Sequence, residues 1–153
     1  MVDSISVVIQ ENDFSLAEET DRIGIDTQDG AVVTFIGKVR GNSNGNQLKA
    51  MFLEHYPGMT EKSIIRIAQQ ASQKWSLGKV SVIHRVGELA PNEQIVFVGV
   101  SSPHRQAAFS ACEYIMDYLK IEAPFWKKEL FEGSENWVAA KECDQAKAKS
   151  WNK

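Results

Sequence analysis

The sequence lacks the features that mark zinc-binding, secreted and membrane-spanning proteins. Its two cysteines, Cys112 and Cys143, form no Cys-x-x-Cys pair and have no nearby histidine, which argues against a zinc knuckle. Cys112 falls inside an apolar helical pattern, where a buried structural thiol is favoured over a nucleophile. No apolar run approaches the roughly 18 residues of a membrane helix, and Met1 to Gln10 has neither the basic start nor the apolar stretch of a signal peptide. We therefore expect a cytoplasmic protein.

An excess of positive charge and the common nucleotide-binding motifs are also missing. Lys plus Arg number 17 against 20 for Asp plus Glu, a net charge of −3, which argues against a nucleic-acid binder held by bulk charge. The chain has no Gly-x-Gly-x-x-Gly, no Walker loop, no Gly-x-Ser-x-Gly elbow and no His-Glu-x-x-His. Common cofactor classes lose support, and any anion site must be local.

The composition is that of an ordinary folded protein. Hydrophobic residues make up 43% and charged residues 24% of the 153 residues, so disorder and coiled coils are disfavoured, and the length suits one domain over residues 1–153. Strand and helix patterns mix without strict βαβ alternation, which predicts the α+β class.

Local patterns predict the order of the elements. Residues 95–100 are apolar on both faces, which indicates a central strand covered on both sides, and Pro124 should end a helix and leave 125–130 extended. The remaining expectations are a strand at 5–9, a helix from Leu16 to Gly24 capped by Ser15, strands 31–39 and 47–55 paired as a hairpin around the polar loop 41–46, a helix from a Thr60 cap to Gly78, a strand at 80–86, a loop at 87–94, a helix from a Ser102 cap to Leu119, and a surface helix within 141–153.

Basic residues cluster where elements begin or end, which is where sites tend to be built. His104 and Arg105 fall in the first turn of a helix, where unpaired backbone N–H groups favour an anion and a cation is misplaced for stability. The Arg fork suits a phosphate, and His adds a donor or a proton relay. The alternative is a solvated surface pair, which is the favoured interpretation of any single Arg or His on sequence alone.

Lys120 and Lys127 come from different local structures because Pro124 separates them, yet they could converge across the turn. Two ammonium groups in a partly buried cleft disfavour each other's charge, so one of them can become a neutral base. On spacing alone the simpler interpretation is favoured, with Lys120 capping a helix and Lys127 exposed on a strand.

Seven strings occur in order along the chain: GAVVTF (30–35), GKVR (37–40), LEHYPGM (53–59), HRVGEL (84–89), SPHR (102–105), DYLK (117–120) and PFWKKE (124–129). Together they resemble the catalytic (large) subunit of molybdopterin synthase over roughly residues 30–145, followed by a tail at 146–153. After Arg40 some relatives place a His in the polar loop, whereas this chain has Gly41, Asn42 and Ser43.

The resemblance implies an α/β hammerhead-type fold, with a mixed or antiparallel sheet and packed helices, in a homodimer within a heterotetramer. A small ubiquitin-like sulfur-carrier subunit would bind through its C-terminal Gly-Gly thiocarboxylate and pass sulfur to cyclic pyranopterin monophosphate, forming the molybdopterin dithiolene. No metal or cofactor is implied. By the family's pattern Lys120 and Lys127 match the essential lysines. The matching substrate contacts are Lys38, Val39, Arg40, His104, Arg105, Lys128 and Glu129.

Two other function classes stay open. A phosphate-binding module without chemistry would need the cations but no lysine with a lowered pKa, and a scaffold subunit would need neither.

Overall fold

Ten strands and four helices follow one another along residues 4–138 and 142–152, which are the parts of the chain that the computed structural model describes. The strands are β1 (Ile5–Gln10), β2 (Ala31–Lys38), β3 (Asn42–Ser43), β4 (Asn46–Gln47), β5 (Ala50–His55), β6 (Val80–Arg85), β7 (Gly87–Leu89), β8 (Gln94–Ser102), β9 (Phe125–Phe131) and β10 (Ser134–Val138). The helices are α1 (Leu16–Ile23), α2 (Met59–Lys74), α3 (Arg105–Glu122) and α4 (Glu142–Lys149), with a 3₁₀ turn at Ser150–Asn152.

The first sheet has the strand order β1-β6-β8-β2, with β1 parallel to β6 and the other pairs antiparallel. Strand β8 lies inside it and is covered on both faces, as its sequence predicts. Val98 and Val100 pack into the main core with α2 and α3, whereas Phe97 contacts Ile23 of α1 on the other face. Gly99 makes room for α1, because a Cβ there would lie 2.5 Å from Ile23 Cδ1.

The second sheet has the order β10-β9-β5-β7 and is antiparallel throughout. Only Val86 separates β6 of the first sheet from β7 of the second, and Gly87, with φ +89°, turns the chain from one sheet into the other. The expected α+β class, with mixed and antiparallel sheets and packed helices, is confirmed.

The hairpin expected from the segments 31–39 and 47–55 is wrong. Strand β2 pairs with β8 at the edge of the first sheet, and β5 lies between β9 and β7 in the second. Alternation along a strand defines its buried face but not its neighbour, so the pairing was not determined locally. The hairpin that does form is the small pair of β3 and β4, turning through Asn44 (φ 51°) and Gly45 (φ 81°), a left-handed pair typical of two-residue turns. The expected loop 87–94 also contains a strand, β7, too short to show a pattern.

Two helices begin and end elsewhere than expected. The first residue of α2 is Met59, and Thr60 lies buried inside the helix, which ends at Lys74 instead of Gly78. Helix α3 begins at Arg105 with His104 as its N-cap, because β8 continues through Ser102, paired with Ala31.

Other local predictions are confirmed. Ser15 caps α1, its hydroxyl accepting a hydrogen bond from the Glu18 N–H. Pro124 follows α3, and β9 begins at the next residue. The expected surface helix corresponds to α4, although residues 139–141 and 153 lie outside the described residues. After it, Trp151 packs edge-to-face on Trp75.

Candidate active site

Strand β9 places Lys127 and Lys128 on opposite faces of the second sheet, as side-chain alternation predicts. Lys127 is half-buried and stands opposite Leu53, which is 1% exposed, so it shares the core-facing side of β9. Lys128 stands opposite Trp137, its ammonium 4.7 Å from that ring's centroid and 3.2 Å from a Glu135 carboxylate oxygen. Lys127 is therefore the lysine that faces the joint between the sheets.

A buried histidine from the first sheet lies at this joint. The ring of His84 stacks on Phe125, two residues before Lys127, with centroids 3.8 Å apart. Its Nδ1 donates to the carbonyl oxygen of Arg85 at 2.8 Å. Burial lowers the pKa of His84 to about 3, the hydrogen bond to Arg85 opposes this, and the charges of Lys127 and His55 add to the lowering. His84 thus stays neutral beside Lys127.

Lys120 is exposed in the last turn of α3. Only Ala123 and Pro124 separate this helix from β9, so the helix end that carries Lys120 adjoins the start of the strand that carries Lys127. The convergence of the two lysines stays a prediction.

His104 and Arg105 lie at the opposite end of the same helix. Both side chains are exposed, and Lys120 follows Arg105 by fifteen residues. At about 1.5 Å of rise per residue, the two positions are roughly 22 Å apart along the helix axis. Within one chain, the structure therefore does not bring the expected phosphate-binding pair to the expected catalytic lysines.

Lys38, Val39 and Arg40 lie where the chain leaves the first sheet. Lys38 and Arg40 are exposed, whereas Val39 is 2% exposed and belongs to the main core. Because the side chain of Val39 packs against the core, a contact with substrate would involve its backbone, and that contact stays a prediction.

Glu129 shares the inner face of β9 with Lys127, two residues away, and connects the polar loop to this strand. One of its carboxylate oxygens, Oε1, accepts a hydrogen bond from the Ser43 hydroxyl at 3.0 Å. The neck of the loop is closed by the Leu48 N–H, which donates to Gly41 O at 2.8 Å. The polar loop 41–46 is therefore an ordered hairpin in contact with the strand of the candidate lysine.

The remaining titratable groups favour structural roles. Cys112 is buried, and burial raises the pKa of its thiol to about 12, which agrees with the expected structural thiol. Within the described residues, no three His, Cys, Asp or Glu side chains come together as a metal site would, and no helix there is long and apolar enough to cross a membrane.

Sequence reasoning missed Arg85 and Ser43, which occur above only within the string at 84–89 and within the polar loop. The sequence carried no signal for Arg85, because the burial of every residue of its strand is visible only in the structure.

Comparison with known proteins identifies the family. The family model described as "MoaE protein" matches residues 9–122, well over half of the chain. The chain belongs to the MoaE family. The molybdopterin synthase catalytic subunit of Vibrio cholerae is 51% identical to it over 95% of this chain and 97% of its own length. The expected family and enzyme class, a molybdopterin synthase catalytic subunit, are both confirmed.

Solved MoaE-family structures have the same fold. The molybdopterin biosynthesis MoaE protein from Burkholderia ambifaria superposes with a TM-score of 0.84 at 43% identity, covering 97% of this chain and 99% of its own. Molybdopterin synthase from Staphylococcus aureus gives a TM-score of 0.81 at 33% identity, over 86% of this chain and 95% of its own. The family model includes Lys38, Arg40 and Lys120 and ends before Lys127.

Proposed function

We propose that this MoaE-family chain makes the dithiolene of molybdopterin by moving sulfur from the thiocarboxylate of a small carrier protein to cyclic pyranopterin monophosphate. The observation that carries the proposal is the half-buried Lys127 on the inner face of β9, beside a neutral histidine and next to the helix end that bears Lys120. Each transfer breaks the acyl carbon–sulfur bond of a thiocarboxylate and forms a carbon–sulfur bond on the pterin precursor. Oxygen takes the place of sulfur on the carrier, which leaves as a carboxylate, and this exchange requires proton transfer. A lysine can supply it when its surroundings ease loss of its charge.

Two groups of cations divide the work. Lys120 and Lys127 are the proposed catalytic pair at the joint between the sheets. The precursor's phosphate is negative, so it requires local cations on a chain whose net charge is −3. We assign that role to Lys38, Arg40, His104 and Arg105, and place Lys128 and Glu129 at the edge of the same site.

The separation of Arg105 from Lys120 along α3 favours a homodimer. A span of roughly 22 Å is too long for one pterin monophosphate to reach both helix ends of the same chain. A twofold axis near the middle of α3 would bring one chain's Arg105 to its partner's Lys120, because a twofold axis pairs unlike ends of the same element. The exposed side chain of Phe109, which is 62% accessible, lies on α3 between these ends and suits such an interface.

The carrier would enter as an extended C-terminal tail. Terminal glycines suit a narrow channel beside Lys120, because residues without side chains fit where others clash. A carrier whose final Gly is changed to a larger residue should lose sulfur transfer, and unchanged transfer would rule out the channel.

The cytoplasm is the proposed compartment, which fractionation of cells expressing a tagged chain tests.

The decisive experiment mixes the purified chain with thiocarboxylated carrier and cyclic pyranopterin monophosphate and follows dithiolene product. An enzyme gives product with all three components and none when the chain is left out. Precursor binding without product would support a phosphate-binding module, and neither binding nor product would support a scaffold.

A further inference from the structure

Arg85 is a buried cation that the proposed chemistry does not use. It is 6% exposed and lies at the end of β6. Its Nε and Nη2 donate to Glu11 O at 3.1 and 3.0 Å, and its Nη1 donates to Gln94 O at 3.0 Å and to Glu93 Oε1 at 3.2 Å. Burying a guanidinium costs free energy that an apolar side chain would not, so such a network contributes fixed geometry more than stability.

The segment held by Arg85 comprises the turn between β7 and β8 and the first residue of β8, residues 90–94, which we call the 90–94 turn. Asn92 sits in it at φ +75°, a left-handed conformation that a non-glycine residue keeps only when neighbours hold it. Glu93 supplies part of that hold, since one carboxylate oxygen accepts from the Ala90 N–H and the other from Arg85. The bond from Ala90, followed by that from Arg85, lowers the pKa of Glu93, so the carboxylate stays ionised.

The 90–94 turn also holds Val39, because both the N–H and the carbonyl oxygen of Val39 form hydrogen bonds with it. The Val39 N–H donates to Glu93 O at 2.9 Å, and the Asn92 N–H donates to Val39 O at 2.8 Å. The side chain of Val39 is buried in the core. The residue directly before Arg40 is therefore fixed by its backbone and its side chain, and the direction in which Arg40 leaves the sheet depends on the turn.

We propose that Arg85 and Glu93 are positioning residues for Arg40. They touch no substrate. They lock the 90–94 turn, and the turn locks Val39, so that the Arg40 guanidinium is already oriented when the phosphate-bearing precursor arrives. The inference rests on the proposed function, which assigns Arg40 to the precursor. The positioning role explains why the charged Arg85 ends β6, a strand whose other residues are all buried. An apolar residue at that position would be buried at a lower cost in free energy.

The test changes Glu93, because its side chain is 40% exposed and its loss endangers folding less than loss of Arg85, whose side chain is 8% exposed. In the assembled enzyme, with carrier saturating, we expect Glu93→Ala to raise KM for cyclic pyranopterin monophosphate about tenfold while kcat changes less than about twofold. Hydrogen exchange at the Val39 amide should accelerate by about tenfold. Glu88→Ala, which removes the same charge from neighbouring β7, is the matched control and should leave both readouts unchanged.

A double variant separates this inference from the proposed function. Arg40→Ala should itself raise KM, and adding Glu93→Ala should raise it no further, because the turn acts through Arg40. If Glu93→Ala multiplies KM by the same factor in both backgrounds, or leaves KM and Val39 exchange unchanged, the positioning role is wrong. If Arg40→Ala leaves KM unchanged, the assignment of Arg40 to the precursor is wrong. If Glu93→Ala nevertheless raises KM in that case, Glu93 does not act through Arg40, and the positioning role is wrong as well. Accelerated Val39 exchange would still establish the lock on the backbone.

Discussion

The hydroxyl of Thr60 joins helix α2 to the start of β9 by donating a hydrogen bond to Pro124 O, 3.0 Å away. The Thr60 Oγ1 also accepts a hydrogen bond from the Tyr56 N–H at 2.9 Å, and Thr60 is fully buried. Thr60→Val keeps the shape and removes both bonds. We expect the free energy of unfolding to fall by about 1 to 3 kcal/mol, the cost of buried polar groups left unpaired. Urea denaturation measures this, and Thr60→Ser, which keeps the hydroxyl, should lose clearly less.

The lysines separate an enzyme from a binding module. Lys120→Ala should lower single-turnover product formation by about 10² to 10⁴, the usual contribution of a positioned acid or base. Lys120→Arg should fail as well, because a guanidinium stays charged. Lys127→Ala should also lose activity, and the double variant should be little worse than the worse single one, because residues that act as a unit are not additive.

The lysine measurements need saturating thiocarboxylated carrier and proof that each variant folds and dimerises. Near-normal turnover in Lys120→Arg would exclude Lys120 as the base and leave it as a fixed positive charge at most.

Arg105→Ala should weaken precursor binding by about ten- to a hundredfold, because a charge-assisted contact to phosphate contributes roughly 1.5 to 3 kcal/mol. Folding should survive, since the Arg105 side chain is exposed. Equilibrium binding of cyclic pyranopterin monophosphate measures the effect. Unchanged binding with a sharply lowered melting temperature would make Arg105 a structural residue instead.

Mixed dimers test whether two chains build one site. Lys120→Ala and Arg105→Ala should each be poorly active alone. After subunit exchange, half of the dimers carry one variant of each kind, and in each of these one of the two sites is intact. The mixture should therefore recover about one quarter of wild-type turnover. A mixture no more active than its components would place each site within a single chain.

His84 predicts a pH dependence of stability. Its pKa is lowered from 6.5 to about 3 by burial, so between these values the unfolded chain binds a proton that the folded chain does not. The contribution of neutral His84 to the free energy of unfolding is fully present above pH 6.5. It falls as the pH drops through that value, by at most about 1.4 kcal/mol per pH unit. His84→Phe should flatten the slope of unfolding free energy between pH 6.5 and 5. An unchanged slope would mean that other groups carry it.

Local sequence predicted those parts of the fold that local chemistry determines. The apolar run 95–100 had to be covered on both faces, Pro124 had to end α3, and the Ser15 cap could be read from its neighbours. The partners of β2 and β5 could not be predicted, because alternation gives a strand its face and leaves its neighbour to tertiary packing.

The candidate site, like the fold, could be predicted from the sequence only in part. Residue types and strings pointed to the cations, and the length of the helix expected between Ser102 and Leu119 already implied that Arg105 and Lys120 stand far apart. The role of Arg85 could not be predicted, because most of its acceptors are backbone carbonyls whose positions exist only in the folded chain. The site assignments themselves remain predictions.

The strand order also decides when the chain can fold during synthesis. The partner of β1 is β6, that of β2 is β8, and those of β5 are β7 and β9, so among the described strands only β3 and β4 can pair before Val80 has been made. Such distant pairings slow folding, because long loops must close before these ladders form. The first half of the chain thus leaves the ribosome with three unpaired strands, and a chaperone that shields exposed strand edges would find its substrate there.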